Sequence, residues 1–174
     1  MRWSNKLAYA IGLIASDGSL SKDKRHIDFT SKDKELINIF KKCLHLKNKI
    51  GKKSREKGKL KKYYRVQFSD VKLYKFLIKI NLVERKSNRL KPLKIPSSKF
   101  FHFLRGYFDG DGSFYNYKDN RWPNSWLFYT TFYSESKSFL QWIKKILKEK
   151  LNIKGRLKRV PRCYELIYGK KESV

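Results

Sequence analysis

The sequence predicts an α+β fold in which one αββαββα unit is written twice. Three observations carry this. Residues 7–20 (LAYAIGLIASDGSL) and 100–114 (FFHFLRGYFDGDGSF) share an apolar helical run that ends in Asp-Gly-Ser. Each run is followed by segments in which apolar and polar residues alternate, as in strands with one wet face. Each set then continues into an amphipathic helix.

The first run aligns Gly12 with Gly106, Asp17 with Asp111, Gly18 with Gly112 and Ser19 with Ser113. Its helix is expected to stop at Asp17, with Gly18 suited to a left-handed cap. In the next strand, Ile27 and Phe29 alternate with His26, Asp28 and Thr30. The amphipathic helix places Leu36, Ile39, Phe40 and Cys43 on one side, and its counterpart does so with Phe139, Trp142, Ile143 and Ile146. A further strand points Tyr64, Val66 and Phe68 inward and Tyr63, Arg65 and Gln67 outward. Residues 71–80 (VKLYKFLIKI) form a closing helix in the first unit. The second unit stops at Val174, where its closing helix should begin, so that helix is expected to be missing. Pro92 and Pro96 mark a linker, which gives halves 1–91 and 100–174 joined by residues 92–99.

The chain has 174 residues, 43 Lys and Arg against 15 Asp and Glu, and a net charge of +28. Such charge strains a compact fold unless a polyanion neutralises part of it. At 40% hydrophobic and 16% aromatic residues, the chain is too apolar for a disordered basic tail. A folded domain with a nucleic-acid partner follows. The densest run, residues 52–62 (KKSREKGKLKK), reads as an exposed loop that contacts phosphates.

Other classes fall away. The apolar stretch 7–15 is too short to cross a bilayer and lacks a convincing signal-cleavage site. No membrane partner and no secretion are expected. Cys43 and Cys163 make neither a disulfide framework nor a zinc pattern. They read as reduced core thiols, which suits an intracellular, reducing compartment. His26, His45 and His102 lack metal-ligand spacing, and His102 reads as a packing residue. Trp122, Pro123 and Trp126 read as a packed loop cluster.

The helical run carries the chemistry. Ala8 and Gly12 lie four residues apart on one face, as do Gly106 and Gly110, so two such helices can pack backbone to backbone. Their packing would bring Asp17 and Asp111 together at helix C-termini, where the macrodipole is already negative. Two carboxylates there repel unless divalent cations sit between them. The Ser16 and Gly110 carbonyls would complete an oxygen-only shell. Acids, hard cations and a basic surface imply metal-assisted phosphodiester hydrolysis.

AIGLIASDG (residues 10–18) and LRGYFDGDG (residues 104–112) resemble the motif of the LAGLIDADG homing endonucleases. The resemblance covers nearly the whole chain, and two motifs imply the monomeric, pseudo-symmetric form. It implies two saddle-shaped antiparallel sheets that straddle double-stranded DNA, with the motif helices at the pseudo-two-fold interface. It implies cleavage of both strands of a long target by Asp17 and Asp111 with Mg²⁺, leaving short 3′ overhangs. Ca²⁺ and Mn²⁺ are candidates to replace Mg²⁺ in binding. Ala15 stands where the motif has its earlier acid, which is not the metal ligand. Ser31 and Ser134 stand where the family often has a water-organising Gln. Lys86 in ERKSNR (residues 84–89) resembles the family's basic residue near the scissile phosphates. The same scaffold occurs in intron maturases, which would make host intron RNA the partner, and in proteins that bind without cutting.

Readout would fall on the outward strand faces: Ser21, Lys22, Lys24, His26 and Asp28, then Tyr63, Arg65 and Gln67. In the second half the candidates are Tyr115, Tyr117, Tyr129, Thr131, Arg162 and Glu165. Arg reads guanine edges, Gln adenine, and Asp or Glu the cytosine amino group, whereas lysines on such a face more often fix position on the backbone.

Overall fold

A computed structural model of the chain describes residues 1–54, 62–84 and 86–173. The densest basic run therefore lies mostly outside the described residues. The order of elements is α1 (Asn5–Asp17), β1 (Gly18–Leu20), β2 (His26–Ser31), α2 (Lys34–Cys43), β3 (Gly51–Lys53), β4 (Tyr63–Ser69) and α3 (Val71–Lys79). It then repeats with α4 (Phe100–Asp111), β5 (Gly112–Asp119), β6 (Trp122–Ser134), α5 (Lys137–Leu151), β7 (Arg156–Val160), β8 (Cys163–Tyr168) and α6 (Lys170–Ser173). Where the first half has the nine-residue closing helix α3, the second half has only the four-residue turn α6.

The strands form two four-stranded antiparallel sheets, ordered β1-β2-β4-β3 and β5-β6-β8-β7. Their registers agree position by position. Gly18 pairs with Phe29 and Phe29 with Val66; in the other sheet Gly112 pairs with Phe132 and Phe132 with Leu166. The first hairpin of the second sheet is longer, its strands running 8 and 13 residues against 3 and 6.

Two compact units divide the chain. The first comprises residues 1–86 and 93–110, and the second residues 87–92 and 111–174. In the first unit α1 is a core helix, with Leu7, Ala8 and every residue from Ala10 to Ser16 buried. The Ser4 hydroxyl caps it by accepting from the Leu7 N–H at 3.0 Å. Gly18 is extended rather than left-handed (φ −85°, ψ 162°), because the chain passes from α1 straight into β1. Phe29, Phe40 and Phe68 close the sheet against α2, the first pair with ring centroids 4.6 Å apart.

Helix α2 is turned from its expected orientation. Leu36, Ile37 and Phe40 are buried, and Ile39 is exposed. In the second unit α5 buries Phe139, Leu140, Ile143 and Leu147, while Trp142 and Ile146 are only half-buried. Both shifts rotate the helix about its own axis, because a stripe wider than four residues leaves the seated edge to packing. Ser136 caps α5 by accepting from the Phe139 N–H at 3.3 Å, and its hydroxyl donates to the Leu90 carbonyl at 2.5 Å. Cys43 and Cys163 are unpaired and half-buried rather than core residues. Among the described residues no helix is long and apolar enough to cross a membrane.

Candidate active site and nucleic-acid interface

Within the first unit α1 and α4 meet backbone to backbone. A Cβ at Gly12 would lie 2.2 Å from the Phe103 carbonyl oxygen, and one at Gly106 2.0 Å from that of Tyr9. A Cβ at Gly110 would lie 1.9 Å from the Ser16 hydroxyl and 3.6 Å from a carboxylate oxygen of Asp17. Ala8 is fully buried on the same helix. The small residues therefore do what their spacing requires, since any side chain larger than hydrogen would push the helices apart. Beside this contact the Tyr9 hydroxyl donates to Asp109 at 2.6 Å. Burial, then that hydrogen bond, raise the phenol well above its ordinary pKa.

Asp17 ends α1 and Asp111 ends α4, immediately after Gly110. The Ser16 carbonyl is not free, as it accepts from the Lys86 ammonium at 2.5 Å. A cation at this helix end answers the negative end of the macrodipole. Among the described residues no cluster of three or more His, Cys, Asp or Glu could hold a metal ion. The donors at hand, one carboxylate with neighbouring carbonyls, are all oxygen and suit a hard divalent cation rather than zinc. Ser31 and Ser134 play matching local roles. Each hydroxyl accepts from the backbone two residues on, Asp33 and Ser136 respectively, both at 3.1 Å.

The outward faces of the sheets divide the readout candidates. Ser21, Lys22 and Lys24 lie on the β1–β2 turn, with Lys24 left-handed (φ 61°). Asp23 organises this turn by accepting from the Arg25 and His26 N–H groups at 3.2 and 3.1 Å. The His26 ring also contacts the Asp23 carboxylate, and that hydrogen bond lowers the Asp23 pKa to about 2. Tyr63 lies under the Lys32 ammonium, 5.7 Å from its ring centroid, and Gln67 is exposed. In the second unit Tyr115, Tyr129 and Tyr117 form a stacked row, with successive centroids 5.3 and 5.8 Å apart. Arg162 occupies the β7–β8 turn at φ 73°.

Three candidates do not present themselves as base contacts. Thr131 is fully buried and donates to the Ser113 carbonyl at 3.2 Å. Asp28 is buried, with one carboxylate oxygen on the Arg65 Nε and the other accepting from the Thr30 hydroxyl at 3.2 Å. Glu165 is buried between the Lys158 ammonium at 2.7 Å and the Tyr133 hydroxyl, which donates to it at 2.9 Å. The strand alternation is right at these positions, but neighbouring strands supply partners that cover the carboxylates. Lys158 was not among the expected contacts. The Pro161-Arg162 turn would have indicated it, since a two-residue turn there pairs Lys158 with Glu165.

Two further expectations also change. His102 is exposed and borders a cavity of about 570 Å³ shared with Tyr9, Cys43 and Asp109. Trp126 lies in β6 rather than in a loop, is exposed and sits under the Lys118 ammonium, 5.6 Å from its ring centroid, and the side chains of Trp122 and Pro123 lie outside the described residues.

A twice-written helix–strand–strand–helix–strand–strand order, with two glycine-bearing helices each ending on aspartate, defines a duplicated α+β class. The sequence matches the model of the LAGLIDADG-like domain over residues 4–81 and 100–173, so the chain belongs to that family. A search of curated proteins found no match. Among solved structures it is similar to the homing endonuclease I-WcaI bound to its DNA recognition sequence. That likeness has a TM-score of 0.68 and 16% identity over 98% of this chain and 79% of that one. Full-length DUF199/WhiA from Thermatoga maritima gives a TM-score of 0.64 and 18% identity over 99% of this chain. The chain spans 54% of the length of that protein. I-DmoI in complex with DNA and Mn gives 0.57 and 19% over 94% of this chain and 88% of that one. At these identities the likeness is one of fold.

Proposed function

We propose that the chain is a site-specific, metal-dependent DNA endonuclease that acts as a monomer and cuts both strands of a long duplex target, leaving short 3′ overhangs. The observation that carries this reading is the α1–α4 contact. Glycines at matching points of a repeated helix let the two backbones touch, and each helix ends on an aspartate. A fold needs neither acid at the negative end of a helix. Cation-assisted chemistry needs both.

In this reading Asp17, Asp111 and the Gly110 carbonyl hold Mg²⁺, joined by the Ser16 carbonyl once the Lys86 ammonium that occupies it turns to the phosphate. When bound, the ion lowers the pKa of water and stabilises the attacking and leaving oxygens of the phosphodiester. Lys86, already drawn to the Ser16 carbonyl, brings a positive charge to the same helix end, where it opposes charge that develops on the phosphate. Ser31 and Ser134 hold the turns before α2 and α5 by accepting from the backbone, and each hydroxyl can still donate its own proton to a water. The sheets supply the binding surface, with Arg65, Gln67, Tyr63 and His26 from one and Tyr115, Tyr117, Tyr129 and Arg162 from the other. The net charge of +28 supplies the sequence-independent part of affinity by counterion release.

The test is cleavage of a plasmid that carries the rejoined DNA flanking the gene's own insertion point. The reading expects Mg²⁺-dependent linearisation at one site, abolished by chelation. Absence of metal-dependent cutting, together with tight binding of host intron RNA, would move the chain to the maturase class.

A further inference from the structure

Among the described residues each sheet buries one carboxylate on its outward face, and each carboxylate grips a cation that stays accessible. In the first sheet Asp28 holds the Nε of Arg65, the Asp28 side chain being 8% exposed and that of Arg65 35%. The two Nη groups of Arg65 make no hydrogen bond with other described residues, while the Thr30 hydroxyl occupies the second oxygen of Asp28. In the second sheet Glu165, 6% exposed, holds the Lys158 ammonium, whose side chain is 43% exposed. Tyr133 occupies the other oxygen of Glu165. The registers make these corresponding places. Arg65 pairs with Thr30 on the inner neighbouring strand, and Glu165 pairs with Tyr133. The outer neighbour of Glu165 is Lys158 and that of Arg65 is Gly51. The same lattice position therefore carries the cation in one sheet and the acid in the other.

Resting on the nuclease reading above, we propose that Asp28 and Glu165 are positioning residues that preset Arg65 and Lys158 as guanine-reading donors. A buried carboxylate with both oxygens engaged is a poor acceptor for cytosine. It is well placed to fix an arginine through Nε, which leaves the paired Nη edge that matches guanine O6 and N7. Lys158, held at one point by Glu165, offers one nitrogen in place of a planar fork and reads less sharply than Arg65. Long cationic side chains lose rotamer freedom on binding, and the buried acids reduce that loss beforehand.

A randomised duplex pool selected for binding in Ca²⁺ and then sequenced tests this. The wild type is expected to enrich a guanine at one position that Arg65→Ala flattens by about tenfold or more. Asp28→Asn is expected to flatten the same position, and the double variant no further. Arg65→Lys, which keeps the charge and removes the fork, should lose that guanine while retaining most of the total affinity. Glu165→Gln and Lys158→Ala should converge on a second, weaker guanine. Melting curves confirm that each variant is folded. Loss of a cytosine preference in Asp28→Asn, or loss at a position that Arg65→Ala leaves intact, would overturn the proposal and leave the nuclease reading standing. A wild type that enriches no duplex sequence would overturn both.

Discussion

Gly106 of α4 stands so close to Tyr9 of α1 that a methyl group on its Cα would lie 2.0 Å from the Tyr9 carbonyl oxygen. The neighbour is backbone and cannot rotate away, so the helices themselves must separate. Gly106→Ala gains about 1 kcal/mol of helix propensity, but the overpacking term is larger. The melting temperature is expected to fall by roughly 5 °C. Gly169→Ala is the control, because nothing lies within 4 Å of a Cβ there. Thermal unfolding of both variants should separate them clearly.

Ser136 serves two masters in the second unit, as N-cap of α5 and as donor to the Leu90 carbonyl. It is 4% exposed, so Ser136→Ala leaves a buried carbonyl and a helix N–H without partners. The expected cost is about 2 kcal/mol, read as a lower denaturation midpoint with an unchanged slope. Ser136→Thr should recover part of it.

The Asp23–His26 contact predicts an acid limb. The Asp23 pKa is lowered from 3.8 to about 2, first of all by the hydrogen bond from His26. A depressed carboxylate pKa means that the contribution is present in full above the unfolded value of 3.8 and is lost as pH falls towards about 2. Asp23→Asn should remove this part of the acid dependence by lowering stability at neutral pH towards its value in acid. The carboxyl carbon shift of Asp23 followed by NMR should give a midpoint below that of an ordinary aspartate.

Salt should act steeply. If the basic faces displace counterions from DNA, affinity is expected to fall by about 10³ or more between roughly 50 and 200 mM salt. Neutralising Lys22 and Lys24 together should shallow the slope without changing which sequence is preferred. Fluorescence anisotropy across a salt series measures both.

The repeated helix was legible because its requirements are local. Small residues at one spacing and a terminal Asp-Gly say what must pack and what must end there. The sheets were legible through alternation, and the two registers agree to the residue at Phe29 and Phe132. What stayed hidden depends on neighbours brought in by register. Alternation puts Asp28 and Glu165 on the outer face, but only the pairing of β2 with β4, and of β8 with β6 and β7, supplies Arg65, Lys158 and Tyr133 to cover them. Gly18 likewise departs from the left-handed cap, because a glycine after a helix is as compatible with entry into a strand. The seated edge of α2 turned on Ile37 against Ile39, which differ by two residues in a stripe that accommodates both.

The role of the helix-terminal acids is the core of the account, and the most direct measurement is cleavage of the bound duplex by Asp17→Asn and Asp111→Asn beside the wild type. Binding is measured in Ca²⁺ and cutting in Mg²⁺. Each variant is expected to bind the duplex within a few-fold of the wild type and to cut at least about 100-fold more slowly. Cutting by either variant at the wild-type rate, or a wild type that binds and never cuts, would contradict it.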